Sequence, residues 1–461
     1  MNRKNSFFLY FITITAALGG FLFGYDTAVI SGTISFVKNQ FALNTTMEGW
    51  FVSSALVGCI AGVTVAGELA DRYGRKRSLI LASLLFFISA LGCALVSSYN
   101  GLILYRMVGG VGVGIASMLS PMYISEVSPA KIRGRMVALY QFAITIGILI
   151  AYFANAYLLN VSESSPEFGN AGQKIFVDEV WRAMFGSETI PAFLFMASLL
   201  FVPFSPRWLS SKNKNEKAGR VLKRINQNEI LAAEELESIR GAIAKESAGS
   251  WSVLSQKGIR VAVFVGVVLA IMSQFTGINA IIYYGPRIME EAGIQLSDAL
   301  GGQVVIGIVN VVATIFAILT IDKIGRKRLM TGGIIGMFFS LIIVGILFLT
   351  GQTDGFLILV FILTFISSFA IGYGPVIWVL LSEIYPNNVR GRAMSVATLA
   401  IWVGTAIIGQ LVPWMLEYLT PAGTFFVFAV FCIPVIFVLR LAPETKGKSL
   451  EEIESLWVED K

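Results

Sequence analysis

Apolar residues run through this chain in long unbroken blocks rather than at alternating positions. The blocks fall at about residues 7–34, 47–69, 78–96, 102–125, 136–159, 183–202, 258–286, 300–321, 329–349, 356–381, 393–416 and 423–441. A helix needs about 20 apolar residues to cross a bilayer, and most of the blocks reach that length. The strands of a membrane barrel would alternate over segments of about ten residues, so that architecture is excluded. Lipid offers the backbone no partner, which leaves helix as the spanning element. The pattern predicts twelve helical spans. Two blocks carry breakers in mid-span: Gly277 amid Ser273, Gln274, Thr276 and Asn279, and the run Gly372-Tyr373-Gly374-Pro375. Both predict helices interrupted near the membrane midplane.

The connections are short except for residues 210–257. That stretch is dense in Lys212, Lys214, Lys217, Arg220, Lys223 and Arg224, with Leu222, Ile225, Leu236, Ile239 and Ile243 at helical spacing. It predicts short amphipathic helices on the membrane face of the protein, with a solvated linker as the alternative. Lys and Arg gather at the amino terminus, in the turns at 71–77, 131–135, 323–328 and 390–392, in the linker and near the tail. By the positive-inside rule every second loop is cytoplasmic, and so are both termini.

The halves echo each other. Asp71-Arg72-Tyr73-Gly74-Arg75-Lys76-Arg77 returns as Asp322-Lys323-Ile324-Gly325-Arg326-Lys327-Arg328, and Ser125-Glu126 through Arg133-Gly134-Arg135 returns as Ser382-Glu383 through Arg390-Gly391-Arg392. A weaker echo links Tyr25-Asp26 to Ile278-Asn279. All three pairs are spaced by roughly 250 residues, which implies a duplicated six-helix unit. The expected organisation is a first bundle at 1–209, a linker at 210–257, a second bundle at 258–442 and a tail at 443–461. Parallel repeats of this kind frame a midplane binding site and rock around it.

Composition narrows the chemistry. Hydrophobic residues make up 56% of the 461 and charged ones only 14%, against about 25% charged in soluble proteins. An integral membrane protein follows. There is no histidine, so His triads, His metal sites and His proton relays are excluded, and any proton coupling must run on carboxylates. Cys59, Cys93 and Cys432 lie in apolar blocks without metal-ligand spacing. The net charge of +6 reflects the basic turns rather than nucleic-acid binding. With no nucleophile–base pair and no metal constellation, no enzyme and no cofactor are expected.

Two charges stand inside the blocks. Asp26 follows Gly20-Phe21-Leu22-Phe23-Gly24-Tyr25. A carboxylate at bilayer depth costs about 2.5–3.5 kcal/mol on insertion scales, which favours a place on an ion or substrate path over a structural one in a polar crevice. Arg106 precedes Gly109, Gly110, Gly112 and Gly114, small residues that let helices approach closely. It either snorkels to an interface or pairs with Asp26, and pairing is the reading carried forward. Glu126 and Glu383 end spans near Arg133, Arg135, Arg390 and Arg392. Together with Asp71, Arg75, Asp322 and Arg326 they are candidate cytoplasmic gate ion pairs, expected to hold the halves in one state and to break in the other.

The motifs Gly24-Tyr25-Asp26, both Asp-x-x-Gly-Arg-Lys-Arg turns, Pro121-Met122-Tyr123 through Arg133-Gly134, Ser205-Pro206-Arg207-Trp208-Leu209, Gln274 through Asn279, and Pro443-Glu444-Thr445-Lys446-Gly447 extend over residues 20–447. Together they resemble the sugar porters of the major facilitator superfamily. The likeness is greatest to the bacterial xylose–proton symport branch, at Gly20–Thr33, Ala116–Glu126 and Trp378–Pro386. The resemblance implies an all-α integral membrane protein whose twelve transmembrane helices form two pseudo-repeats. It implies a proton-coupled pentose or hexose symporter working by alternating access, with sugar, proton and lipid as its partners; the compact length and Asp26 point to a bacterial inner membrane, and a functional monomer is expected.

By the same resemblance Gln141, Gln274, Asn279, Asn310 and Trp378 match sugar-binding positions. Phe23, Tyr283, Tyr284 and Trp402 match cavity-lining aromatics, and Asp26 and Arg106 match the proton-coupling pair. Facilitative carriers usually have Asn in place of that Asp, so Asp26 points to symport. The rivals are a uniporter on the same fold, a membrane sugar sensor and a proton-coupled exporter. Ser273 and Ile401 depart from the family, standing where many members carry amides. Each swap is expected to remove hydrogen-bonding capacity from the site, so the sugar does not carry over.

Overall fold

The structure, a computed structural model, describes residues 3–129, 132–164, 169–226, 228–245, 259–352, 354–385 and 389–446. The end of the expected linker at 246–257, the first residue of the expected second bundle at 258 and the tail beyond Lys446 lie outside the described residues. Among those described, eleven helical stretches are long and apolar enough to cross a membrane. They are α1 (Arg3–Val29), α2 (Thr45–Tyr73), α3 (Arg75–Leu95), α4 (Tyr99–Val127) and α5 (Arg133–Glu163), then α7 to α12. The seventh is split into α7a (Ile259–Phe275) and α7b (Ile278–Glu291), and the tenth into α10a (Gly355–Gly372) and α10b (Gly374–Ile384). The others are α8 (Leu296–Ile324), α9 (Arg326–Leu349), α11 (Arg390–Tyr418) and α12 (Thr420–Leu441).

The sixth span, expected as one helix over 183–202, is two short ones, α6a (Trp181–Ser187) and α6b (Thr189–Leu199). Pro191 has no N–H to give the Ser187 carbonyl, and the break falls between those two residues, at Glu188. The described linker is helical, at Pro206–Ser211, Asn215–Asn226 and Glu229–Lys245. A further short helix, Ile34–Phe41, lies between α1 and α2.

Contacts divide the chain into two compact units that do not follow the sequence repeat. One unit holds residues 1–26, 57–150 and 185–248; the other holds 27–56, 151–184 and 249–461. In the first unit α2 and α4 meet backbone to backbone. A Cβ added at Gly58 would lie 3.0 Å from Gly110 Cα, and one at Gly62 would lie 3.0 Å from Gly114 Cα. Only glycine on both faces allows that approach. The linker helices dock on the same unit. Leu236 packs against Trp208, Leu209 and Ala218, and the Arg224 guanidinium lies 3.6 Å from the centre of the Phe8 ring.

In the second unit the break in α7 rests on Gly277, whose φ of +90° is left-handed. The ring of Phe428 occupies the space a side chain there would need. Two prolines inside helices each free a carbonyl four residues back. Pro286 in α7b frees that of Ile282, and Tyr152 donates its hydroxyl to it at 3.2 Å. Pro413 in α11 frees that of Gly409, and Tyr284 donates to it at 2.7 Å. Both tyrosines are fully buried. An orphaned buried carbonyl costs about 1–3 kcal/mol. Tyr284→Phe is therefore expected to lower stability by about that much in thermal unfolding in detergent. Adding Pro413→Ala, which restores the missing N–H, should recover most of the loss. Strictly additive losses in the double variant would refute the pairing as the cause.

Candidate functional site

The α7 break brings a polar cluster together. Gln274 lies in the last turn of α7a and Asn279 in the first turn of α7b, and Asn279 Nδ2 donates to Gln274 Oε1 at 2.6 Å across the gap. Thr405 on α11 reaches the same oxygen at 3.0 Å. Gln274 Nε2 donates to Ser273 Oγ at 2.6 Å, and Ser273 in turn donates to the Ala270 carbonyl at 2.6 Å. Gln274, Ser273 and Thr405 are buried, while Asn279 is half-buried. Asn310 on α8 and Trp378 on α10b are half-buried and carry no hydrogen bond to this cluster. Tyr283, Tyr284 and Trp402 are buried in the same unit.

The first unit holds a buried charge cluster. Arg106 Nη1 on α4 lies 3.4 Å from Asp26 Oδ1 on α1. The arginine is 3% and the aspartate 7% exposed, so neither charge is answered by water. Arg106 does not snorkel; its guanidinium also sits 5.4 Å from the centre of the Phe185 ring on α6a. Tyr25, beside Asp26, shares a 2.7 Å hydrogen bond with Ser187. At the α6 break stands Glu188, buried and within the field of both Asp26 and Arg106. Its Oε1 has no hydrogen-bond partner among the described residues. Gln141 on α5 and Phe23 on α1 are half-buried in this unit.

The duplicated turns form duplicated networks, each within its own half. Arg75 bridges Asp71 at 3.4 Å and Glu126 at 2.9 Å, and Ser205 donates to Glu126. Arg326 bridges Asp322 at 2.9 Å and Glu383 at 2.8 Å, and Thr445 donates to Glu383. The partner of Glu126 is thus Arg75, and Arg133, nearer in sequence, is exposed at the start of α5. Glu383 is likewise taken by Arg326, while Arg390 donates to the Tyr385 carbonyl at 3.3 Å. Each carboxylate ends its helix pointing back at the turn between the second and third spans of its half, not along the chain to the next arginine.

The family model described as "Sugar (and other) transporter" matches residues 12–457. The arabinose-proton symporter of Bacillus subtilis is 42% identical over 453 residues, covering 98% of this chain and 95% of that protein. The chain belongs to the sugar transporter family. A partially occluded inward open structure of the xylose transporter XylE from Escherichia coli matches with a TM-score of 0.83 at 36% identity, over 96% of this chain and 99% of that one. XylE, described as a major facilitator superfamily proton:xylose symporter, bound to 6-bromo-6-deoxy-D-glucose, matches with a TM-score of 0.82 at 37% identity, over 98% and 100%. The fold of this sugar transporter is therefore the twelve-helix major facilitator fold. It is a multi-pass membrane transporter and not an enzyme.

Sequence reasoning passed over several residues of the sugar transporter. Glu188 is one more carboxylate inside an apolar block, and the argument applied to Asp26 would have found it. Thr405 lies three residues after Trp402, one helical turn along α11. Ser205 and Thr445 sit at matching places just after the sixth and twelfth spans. Glu48, at the start of α2, had no visible signal. It is fully buried, with Lys38 Nζ at 3.0 Å and Arg287 of α7b as its second cation.

Removing one member of a buried ion pair costs about 3–5 kcal/mol, and an exposed one under about 1 kcal/mol. Glu48→Ala should therefore destabilise the protein by about 3 kcal/mol. Lys38→Ala, whose side chain is 38% exposed, should cost less than about 1 kcal/mol. Thermal unfolding in detergent measures both, and equal losses would contradict the burial argument.

Proposed function

We propose that this protein is a proton-coupled monosaccharide symporter working by alternating access, with a pentose as the first candidate substrate. The observation that carries it is the Asp26–Arg106 pair at 3.4 Å, a buried carboxylate whose visible ionic partner is one arginine. A proton arriving at Asp26 removes its attraction for Arg106, so the cluster has two charge states with different internal bonding. An unpaired carboxylate in an apolar setting is costly. Carrier movement without the proton is thereby disfavoured, which couples the two fluxes. Glu188, in the field of both groups, adds a second carboxylate to the same balance.

Sugar hydroxyls are met by the amides of Gln274 and Asn279, which supply donors and acceptors side by side. Asn310 adds a third amide and Trp378 an apolar face with one N–H. The roles of Gln141 and Phe23 rest on the resemblance alone. Pentose transport by the B. subtilis and E. coli relatives supports the substrate class. The basic turns support cytoplasmic termini, the bacterial relatives support a bacterial inner membrane, and the single chain is proposed as the working unit.

Uptake into proteoliposomes tests this reading, using labelled arabinose, D-xylose, D-glucose and D-galactose with and without an inward proton gradient. Gradient-driven accumulation of at least one sugar is expected. Asp26→Asn should abolish accumulation while leaving sugar exchange intact. Equilibration that ignores both gradient and substitution would make the protein a uniporter with a structural Asp26. Binding without movement of any sugar would make it a sensor.

A further inference from the structure

The Gln274 side chain is almost fully engaged before any ligand arrives. A carboxamide offers two lone pairs on oxygen and two N–H donors. Asn279 and Thr405 take up both lone pairs of Oε1, at 2.6 and 3.0 Å. Ser273 takes one N–H at 2.6 Å. The direction of that bond is fixed, because Ser273 spends its only proton on the Ala270 carbonyl and can offer Gln274 nothing but an acceptor. Thr405 is held in turn, its single proton divided between Gln274 and the Ile401 carbonyl at 2.8 Å. Gln274 is left with one N–H, and Asn279 with one N–H and its own carbonyl oxygen.

We propose that Ser273 and Thr405 are positioning residues that set sugar selectivity by fixing Gln274 as a single-donor group. This rests on the reading that Gln274 and Asn279 contact the sugar. The sequence comparison made Ser273 a loss of hydrogen-bonding capacity. The structure turns that around: Ser273 is 2% exposed, and it orients the neighbouring amide instead of presenting one of its own. Ile401, the other departure, takes part through its backbone carbonyl. A Gln274 amide locked in this way can only donate its one free N–H to a sugar hydroxyl, and in one direction only. Two sugars that differ in the orientation of a single hydroxyl are then distinguished. A freely rotating amide could turn its oxygen or its nitrogen to either and would discriminate less.

L-Arabinose and D-xylose are such a pair, as are D-galactose and D-glucose, and they are the probes of choice. The measurement is KM and maximal exchange rate for each sugar in proteoliposomes. The variants are Thr405→Val, which keeps shape and loses the donor, and Ser273→Ala. Each should raise KM for the better sugar of a pair by about threefold to tenfold, the worth of one neutral hydrogen bond. Maximal rate should stay near that of the parent, and the ratio between epimers should fall toward one. Thr405→Ser should restore both values. Gln274→Ala separates the two claims. If it leaves KM unchanged for every sugar, the underlying reading of the amide cluster is wrong. If it abolishes saturable exchange while Thr405→Val and Ser273→Ala match the parent in KM and in epimer ratio, the positioning role is wrong and the sugar site stands. Should Thr405→Val fail to fold, the Ser273→Ala result decides alone.

Discussion

A polar group carried out of water by this protein must be answered by another group of the same chain, because lipid offers none. That requirement explains side chains that no surface argument would place. Tyr152 and Tyr284 are fully buried yet keep their hydroxyls, and each hydroxyl meets a carbonyl that a proline has stranded. α7b and α11 tolerate their prolines because the tyrosines answer the freed carbonyls. The same rule governs the gap at Gly277. Breaking a helix in lipid exposes backbone and side-chain polarity together, and the Ser273, Gln274, Asn279 and Thr405 cluster gathers that polarity into one internally bonded group. What remains unspent in the group is available to a polar ligand.

Charges obey the rule with different tolerances. In each turn network one arginine serves an exposed aspartate and a buried glutamate. Asp71 and Asp322 are both 81% exposed at the side chain, against 8% for Glu126 and 21% for Glu383. Exposed pairs contribute little, so the glutamates carry the weight of these networks. Their contacts are short and supported by a hydroxyl from Ser205 or Thr445. The Asp26–Arg106 contact, at 3.4 Å, is longer than either glutamate contact, and its arginine, 3% exposed, is more deeply buried than Arg75 or Arg326. A pair of that kind is loosely made and costly to break unless another group takes the place of one partner.

Much of this was legible along the chain because membrane helices write themselves in composition. Eleven spans and the interruption at Gly277 follow from block length and one glycine among polar neighbours. The sixth span misled, since its hydropathy concealed the effect of Pro191 and the charge of Glu188. Pairing was legible only where candidates were few. Asp26 and Arg106 are rare charges in apolar blocks, and that scarcity singled them out. Around Glu126 and Glu383 arginines are plentiful, and proximity in sequence suggested Arg133 and Arg390. The choice of Arg75 and Arg326 depends on which helices lie side by side, which no local pattern encodes. Ser273 shows a related limit. Counting amides registers a residue by what it offers a ligand, whereas this serine acts on the glutamine next to it.

The membership of the second unit bears on how the protein is made. Residues 27–56 pack with residues 249–461, so part of the first-made sequence finds its partners among the last. Glu48 is 239 residues ahead of Arg287. At ribosomal speeds of about 5–20 residues per second, that carboxylate waits roughly 10–50 seconds for its arginine. Lys38, on the helix just before α2, emerges ahead of it and lies within reach. Of the two cations that meet Glu48 in the fold, Lys38 is the one already made when Glu48 emerges. A side chain of small weight in the finished molecule is thus, in order of synthesis, the first partner that carboxylate can have.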